Sequence, residues 1–255
     1  MNIQSAAAIL VKRRQTGEKG DRLPQGCRPS DITHALAIQQ ALTELWCEQM
    51  DDSVGAWKCG LPSPDKVVLA PIYTRTIDSI PPISLWPMGQ NARIEPELAF
   101  FLGVDLPPRI EPYSEAEIDA AIVRTHLALE LIDSRYSDPK SCSFPEMLAD
   151  GLVNQGLFIG PEVNGVIAKN ASSFVLNISY NGENRTIQAS HPTGNPRAPL
   201  YWLVNFLREQ DQGLVAGQAV ITGSYAGVIE IPLEVDSVIE YQGLGDMNIR
   251  FRAKG

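Results

Sequence analysis

Two glutamates separated by one residue, Glu95 and Glu97, are the first candidates for chemistry in this sequence. In an extended strand, residues two apart point to the same face, so the two carboxylates would project together. Neighbouring anions repel each other unless protons or a cation compensate them. Mg²⁺ or Mn²⁺ would do so, because these ions prefer oxygen ligands and keep positions open for water and substrate. The spacing therefore indicates a candidate divalent-metal site.

The same spacing also occurs on solvated surfaces. The chain has at least five acidic pairs of this kind, including Glu115 and Glu117, and composition alone gives about three to four. The pair at Glu95 and Glu97 differs because it leads directly into the apolar run 98–102. The pattern by itself leaves a surface pair and a metal site both open.

Lys58 is a second candidate. Its neighbours Trp57, Cys59 and Leu61 are apolar, so its ammonium is expected to be partly desolvated. Desolvation would lower the pKa of the lysine towards a value useful for acid–base chemistry. The alternative interpretation is an ordinary surface lysine.

Composition excludes several classes of function. The 255 residues carry a formal net charge of -9, which argues against binding to nucleic-acid phosphates. No apolar run approaches the roughly 20 residues of a membrane span, and the short run 6–11 precedes its basic residues, unlike a secretory signal. The four cysteines form no Cys-x-x-Cys pair, which favours reduced thiols and a cytoplasmic protein. No glycine fingerprint for nucleotides is present.

Three helices are predicted to support these residues. The first is capped by Ser30 or Asp31 and runs to residue 45. The second begins at the capping box of Ser114 and Glu117, and its apolar stripe extends to residue 132. The third covers residues 199–208.

Short strands are predicted between and after these helices, with Asn181-Gly182 as the strongest hairpin signal. No regular alternation of strand and helix is seen, so we expect an α+β fold with a large mixed or antiparallel sheet. Pro96 predicts an edge or bulged strand, since it lacks a ladder donor. We expect a helical subdomain at 1–65 packed on a β-rich catalytic core at 66–255, together one functional unit.

Four segments in order resemble the fumarylacetoacetate hydrolase superfamily, in its 2-keto-4-pentenoate hydratase / 4-oxalocrotonate decarboxylase branch. The resemblance runs from about residue 30 to the end of the chain. The segments are 55–61 (Gly-Ala-Trp-Lys-Cys-Gly-Leu), 93–100 (Arg-Ile-Glu-Pro-Glu-Leu-Ala-Phe), 128–135 (Ala-Leu-Glu-Leu-Ile-Asp-Ser-Arg) and 194–224, with its Gly194-Asn195-Pro196, Trp202-Leu203 and Thr222-Gly223-Ser224 blocks.

The resemblance implies a fumarylacetoacetate-hydrolase-like mixed β-sheet roll and a set of site residues. The metal ligands would be Glu95, Glu97 and Glu130, with Glu130 at a helix end, and the ion would be Mg²⁺ or Mn²⁺. Lys58 would lie near the reacting carbons. Substrate would be bound by Thr222, Gly223, Ser224 and Arg135. Asp150 is a further catalytic candidate, because Ala149-Asp150 match a family loop in which Gly151 replaces an Asn.

Two neighbours of Glu130 need separate interpretation. On a helix, Asp133 would point away from Glu130, so it is expected to pair with Arg135 or to cap the helix end. His126 would share a helix face with Glu130, as an ordinary contact rather than as a ligand. The His–Glu dyad of the hydrolytic members is not recognisable, which weighs against C–C hydrolysis.

The resemblance implies a metal-dependent hydratase that adds water to a 2-hydroxy-2,4-dienoate in aromatic meta-cleavage catabolism. One alternative is a decarboxylase of a 4-oxalocrotonate-type 2-oxo diacid that uses the same site. A second alternative is a non-catalytic oligomeric partner subunit. The family also implies a homo-oligomer that associates with a paired pathway enzyme.

Overall fold

The computed structural model describes residues 1–254, in which six α-helices accompany fourteen strands. The helices are α1 (Ile3–Thr16), α2 (Ile32–Met50), α3 (Glu115–Ala121), α4 (Phe144–Ala149), α5 (Gly165–Lys169) and α6 (Ala198–Glu209). The strands are β1 (Val54–Ser63), β2 (Lys66–Tyr73), β3 (Ile77–Asp78), β4 (Ile83–Leu85), β5 (Asn91–Leu102), β6 (Ile122–Ile132), β7 (Asn154–Val163), β8 (Ser173–Tyr180), β9 (Glu183–Ser190), β10 (Ala219–Ile221), β11 (Ile229–Pro232), β12 (Ser237–Tyr241), β13 (Gly245–Ile249) and β14 (Phe251–Ala253).

One large mixed sheet carries the candidate site residues on its strands. Its order is β2-β1-β10-β5-β6-β7-β3, and β11 also pairs with β5. The β1–β10 and β3–β7 pairs are parallel, whereas β5–β6 and β6–β7 are antiparallel. The predicted α+β class with a mixed sheet is therefore confirmed.

A smaller four-stranded sheet, β13-β12-β8-β9, and the β4–β14 pair complete the β structure. Asn181 and Gly182 join β8 to β9 with φ values of 48° and 80°. Positive φ at both positions is the requirement of a tight hairpin turn that matches the twist of the strands. The predicted hairpin is confirmed.

The N-terminal helices pack together on one side of the large sheet. Asp31 caps α2 by accepting a 2.8 Å hydrogen bond from the His34 amide, as predicted. Small and branched side chains fill the contact between α1 and α2, including Ala6, Leu10 and Ile38. The predicted boundary at 65/66 falls in the turn between the paired strands β1 and β2, and the division into subdomains stays a prediction.

The second predicted helix is wrong beyond its first two turns. The capping box forms, with the Glu117 amide 3.3 Å from Ser114 Oγ and the Ser114 amide 2.8 Å from Glu117 Oε2. The helix then ends at Ala121, and residues 122–132 form β6 between β5 and β7. A strand covered on both faces is apolar without alternation, so its pattern resembles a buried helix. The third helix is confirmed as α6.

Of the two alternatives predicted from Pro96, the edge strand is wrong, whereas β5 does contain a register shift against β6, at Phe101/Leu102 and away from Pro96. Strand β5 is interior, and Pro96 pairs with Leu129 of β6 inside a regular register. On the other side of β5, β11 pairs with residues 91–94 and β10 with residues 99–101. Pro96 lies in the interval between them, so its missing N–H interrupts no ladder there.

No helix within residues 1–254 is both long enough and apolar enough to span a membrane. The four cysteines, all inside the described part of the chain, are free thiols.

Candidate metal centre

The three predicted metal ligands lie together on two adjacent strands. Glu95 and Glu97 share one face of β5, and Glu130 of β6 is directly opposite Glu95 in the register. Each of the three offers a ligand oxygen, and these atoms all lie within 4.8 Å of one another. Glu130 therefore enters the cluster from a strand, which corrects the predicted helix end.

Glu130 is fully buried and is held by two side chains. Lys58 Nζ of β1 donates to its Oε1 at 2.6 Å, and Asn154 Nδ2 of β7 donates to the same oxygen at 2.9 Å. Glu130 Oε2 is buried and has no hydrogen-bond partner among the described residues. Buried carboxylate oxygens are rarely left without a partner, so this atom is available for a ligand.

Glu97 is held from the other side of β5. It is 2% exposed, and its Oε2 accepts a 2.6 Å hydrogen bond from the Gly223 amide. Gly223 lies in the loop after β10, opposite the interval of β5 that neither β10 nor β11 covers. The gap in the ladder thus lets a loop amide reach the carboxylate.

Burial and mutual repulsion raise the pKa values of the strand β5 carboxyl groups. Burial and the charge of Glu130 raise the pKa of Glu95 to about 7, and burial with the charges of Glu130 and Glu95 raises the pKa of Glu97 well above its usual range. The three carboxylates repel one another, and a bound cation would reduce that repulsion.

The expected lowering of the Lys58 pKa is wrong. Burial by itself would lower it, but the Glu130 carboxylate, with Glu95 and Glu97 behind it, raises the pKa above the ordinary value. Lys58 is therefore an ammonium at neutral pH. The sequence neighbours of Lys58 indicated its burial correctly, but they could not indicate three carboxylates from other strands.

The donor set fits a hard divalent cation. All three candidate ligands are carboxylates, and Glu130 offers a buried oxygen without a partner. Oxygen-only donors suit Mg²⁺ and Mn²⁺. Hydrogen bonds from Lys58, Asn154 and Gly223 fix the carboxylates, as outer-shell groups do at metal sites.

Asp150 and Arg135, predicted for catalysis and substrate binding, are bonded to each other. Arg135 Nε lies 2.8 Å from both carboxylate oxygens of Asp150, and both side chains are buried. Arg14 of α1 donates to the Asp150 carbonyl and, at 3.1 Å, to the Asn154 carbonyl. The turn that follows brings the Leu152 carbonyl to 3.2 Å from Lys58 Nζ. Their predicted roles stay predictions.

Asp133 does not pair with Arg135 through its carboxylate. Lys19 Nζ lies 2.6 Å from Asp133 Oδ1, while Arg135 donates to the Asp133 main-chain carbonyl. His126 is a strand residue whose Nδ1 lies 2.9 Å from the Gly160 carbonyl. It is outside the carboxylate cluster.

The predicted substrate loop lies against the cluster through only one of its residues. The Gly223 amide reaches Glu97, whereas Thr222 is buried and Ser224 Oγ donates to the Gly227 carbonyl at 3.2 Å. Sequence reasoning missed Asn154 and Arg14, which come from β7 and α1. No local signal marks them, because their partners are distant in the chain.

Comparison with known proteins gives relatives that match nearly the whole chain. It is 25% identical to a 2-keto-4-pentenoate hydratase of Paraburkholderia phymatum over an alignment 260 positions long, which covers 98% of this chain and 97% of the relative. A 2-keto-4-pentenoate hydratase of Burkholderia vietnamiensis is also 25% identical, with the same coverage. No family model matches the sequence.

Solved structures match the fold. A 4-oxalocrotonate decarboxylase from Pseudomonas putida, complexed with magnesium and adipate, aligns with a TM-score of 0.79 at 17% identity, over 98% of this chain and 97% of that one. A fumarylacetoacetate hydrolase family protein from Yersinia pestis aligns with a TM-score of 0.54 at 21% identity, over 79% of this chain and 94% of that one. The chain has the fold of the fumarylacetoacetate hydrolase superfamily, and its full-length similarity to the two hydratases supports the branch of 2-keto-4-pentenoate hydratases and 4-oxalocrotonate decarboxylases.

Proposed function

We propose that the protein is a divalent-metal-dependent hydratase that adds water to a 2-hydroxy-2,4-dienoate, such as 2-hydroxypenta-2,4-dienoate, and releases a 4-hydroxy-2-oxo acid. The observation that carries this proposal is the cluster of half-buried Glu95 with buried Glu97 and Glu130, and the Lys58 ammonium bonded to Glu130. The names of the two full-length relatives support the choice of reaction.

Glu95, Glu97 and Glu130 would hold Mg²⁺ or Mn²⁺, which would supply positive charge for the carboxylate and the 2-oxygen of the substrate. Gly223 orients Glu97, while Asn154 and Lys58 orient Glu130, so the carboxylates keep their positions when substrate enters. Carboxylates fixed in this way need no rearrangement during the reaction.

Lys58 is the proposed proton donor. Conversion of 2-hydroxypenta-2,4-dienoate to the 4-hydroxy-2-oxo acid adds one proton at C3, one at C5 and a hydroxyl group at C4. The 2-hydroxyl group and the attacking water each give up one proton, so Lys58 would deliver a proton to carbon and be reprotonated in each cycle. The raised pKa of Lys58 keeps its ammonium protonated at neutral pH, and a cation held by the three carboxylates would lower that pKa and so make the proton easier to deliver. Its hydrogen bonds to Glu130 and to the Leu152 carbonyl fix where that proton is held.

The remaining predicted residues are proposed to shape the site around Lys58. Asp150 and Arg135 hold the turn that presents the Leu152 carbonyl, so their effect on catalysis would pass through Lys58. Thr222, Gly223 and Ser224 form the loop proposed to receive the carboxylate end of the substrate. A homo-oligomer and a paired pathway enzyme are part of the same proposal by analogy with the family.

The second candidate is decarboxylation of a 4-oxalocrotonate-type 2-oxo diacid at the same site. It is favoured by the alignment of nearly the whole chain with the 4-oxalocrotonate decarboxylase fold. A non-catalytic partner subunit is the third candidate, and the assembled carboxylates and Lys58 argue against it.

Product analysis separates the three candidates. The protein is incubated with 2-hydroxypenta-2,4-dienoate or with 4-oxalocrotonate in Mg²⁺ or Mn²⁺, and products are followed by ultraviolet absorbance and mass. A gain of one water from the monoacid supports the hydratase, and loss of CO₂ from the diacid supports the decarboxylase. Consumption of neither, with or without a partner enzyme, would contradict both.

Glu97→Gln tests the metal site within the same assay. It keeps the size of the side chain but removes its charge, so turnover should fall at least about 100-fold, as expected for loss of a charged ligand. Glu115→Gln is the matched control, because Glu115 belongs to an exposed acidic pair with the same spacing. Unchanged turnover in Glu97→Gln would defeat the metal-site proposal.

A further inference from the structure

His191 lies behind the wall of the carboxylate site, immediately after β9. It is 4% exposed, and its main-chain N–H donates to the Ser172 carbonyl at 2.7 Å. The Tyr225 ring packs edge-on against the imidazole, with 5.2 Å between the ring centroids. The ring is thus fixed from two sides.

The contacts of His191 favour one tautomer. Nε2 lies 3.2 Å from the Thr222 carbonyl, which can only accept, and 3.4 Å from Thr222 Oγ1, while Nδ1 lies 3.0 Å from Thr193 Oγ1. Only a proton on Nε2 lets the ring bond to the carbonyl. Nδ1 accepts a 3.3 Å hydrogen bond from the Thr193 amide. Burial lowers the pKa of His191, so the ring is neutral at neutral pH and keeps its Nε2–H donor.

The carbonyl that His191 holds belongs to the peptide group that binds Glu97. The Thr222 C=O and the Gly223 N–H are the two ends of one peptide unit, and that N–H lies 2.6 Å from Glu97 Oε2. Hydrogen bonds at the two ends of a peptide group polarise it and strengthen each other. His191 therefore acts on Glu97 through a single rigid peptide plane.

Backbone packing leaves this peptide little freedom. Gly223 has φ of +131°, and a Cβ there would lie 3.0 Å from Pro192 Cγ, so the residue after His191 sits against the glycine. The Tyr225 amide donates to the Pro96 carbonyl at 3.0 Å and ties the other end of the loop to β5. Within these limits, the carbonyl of the Thr222–Gly223 peptide faces His191 and its N–H faces Glu97.

We propose that His191 is a positioning residue for the metal site, which holds the Glu97 carboxylate in ligand orientation through the Thr222–Gly223 peptide. This inference rests on the metal site of the proposed function. The group bonded to Glu97 itself is the Gly223 amide. Loss of a partner of that kind typically lowers metal affinity by about 10- to 100-fold, which is the upper limit for loss of His191 behind it.

The test is Mn²⁺ binding, measured by the electron paramagnetic resonance signal of the free ion. His191→Leu removes the donor and should weaken binding roughly 10-fold, the lower end of that range, because His191 acts on Glu97 through a peptide group. His191→Gln places an amide N–H near the position of Nε2 and should recover most of the affinity. His126→Leu is the matched control, since it also removes a histidine bonded to a main-chain carbonyl, that of Gly160 on β7, and should stay within about twofold of wild type.

The outcomes distinguish this inference from the proposed function. A wild-type protein that binds no Mn²⁺ overturns both. Tight binding by wild type and equally tight binding by folded His191→Leu overturns the role of His191 alone. If circular dichroism shows that His191→Leu does not fold, His191→Asn replaces it, because its shorter amide reaches only the position of Nδ1. Equal affinity of the Asn and Gln variants would then overturn the inference.

Discussion

At the scale of single residues, the two carboxylate oxygens of Glu130 have different surroundings. Oε1 accepts hydrogen bonds from Lys58 and Asn154, which fix the orientation of the carboxylate. Oε2 is buried without a partner among the described residues. One oxygen is therefore occupied by the protein and the other is free for an ion, so Lys58 and a bound cation need not compete for the same atom.

Lys58→Met tests the assignment of the proton donor. Removing the ammonium should lower kcat by about 10²- to 10⁴-fold, the usual range for loss of a general acid. Its effects on Mn²⁺ affinity oppose each other, because the variant loses a group that orients Glu130 and also loses a neighbouring positive charge, so kcat is compared at saturating Mn²⁺. Lys66→Met, at an exposed lysine of β2, is the control for loss of a lysine. Turnover by Lys58→Met within a few-fold of wild type would exclude Lys58 as the donor.

At the scale of elements, the turn between α4 and β7 has an unusual backbone. Gly151, Leu152 and Val153 have φ values of 79°, 52° and 63°, and a β-branched residue in this region is a genuine outlier. The hydrogen bonds of Arg135 and Arg14 to Asp150 hold the start of the turn, and the Asp133 amide holds its end at the Val153 carbonyl. The backbone strain therefore lies in the turn whose Leu152 carbonyl accepts a hydrogen bond from Lys58.

Val153→Asn should stabilise the protein, because Asn tolerates the left-handed conformation that costs a β-branched residue about 1–2 kcal/mol. The expected gain in the free energy of unfolding is roughly 1 kcal/mol, measured by urea denaturation. Val215→Asn, at an exposed valine whose φ is not positive, should change it by less than about 0.5 kcal/mol. No gain at Val153 would mean that packing of the valine, and not its backbone, decides stability here.

Local sequence predicts features that depend on neighbouring residues, and it fails for elements that depend on tertiary packing. Three features depend only on residues close together in the sequence, so the sequence predicted them: the cap of α2, the capping box of α3 and the Asn181-Gly182 turn. Strand β6 could not be predicted in this way, because its continuous apolar pattern arises from packing on both faces of the sheet. The same limit applies to the site. The pairing of Glu95 with Glu130 depends on the strand register, and only the family resemblance brought Glu130 into the ligand set.

At the scale of the whole molecule, the large sheet brings the three carboxylates and the Lys58 ammonium together. Strands β1, β5, β6 and β7 and the loop after β10 each contribute one or two groups to the cluster. Three carboxylates meet one ammonium there, so the site itself is short of positive charge. The formal net charge of -9 adds to this deficit over the whole chain. Folding thus brings negative charges together, and a bound cation would lower the electrostatic energy of the folded state.

Stability of the whole protein should therefore depend on divalent metal and on pH together. An ion at 100 times its Kd stabilises the folded state by about 2.7 kcal/mol, which for a chain of this size raises Tm by roughly 5–10 °C.

The folded-state pKa of Glu95, about 7, lies above its ordinary value, so without metal its contribution favours the folded state at low pH and is lost as pH rises through 7. Protons compete with the ion for the same carboxylates, and hence the Mn²⁺-induced rise in Tm should be larger at pH 8 than at pH 5.5. Calorimetry with Mn²⁺ and then EDTA measures this, and Glu97→Gln should show little rise at either pH. An equal rise in wild type and Glu97→Gln would place the stabilising ion somewhere other than this cluster.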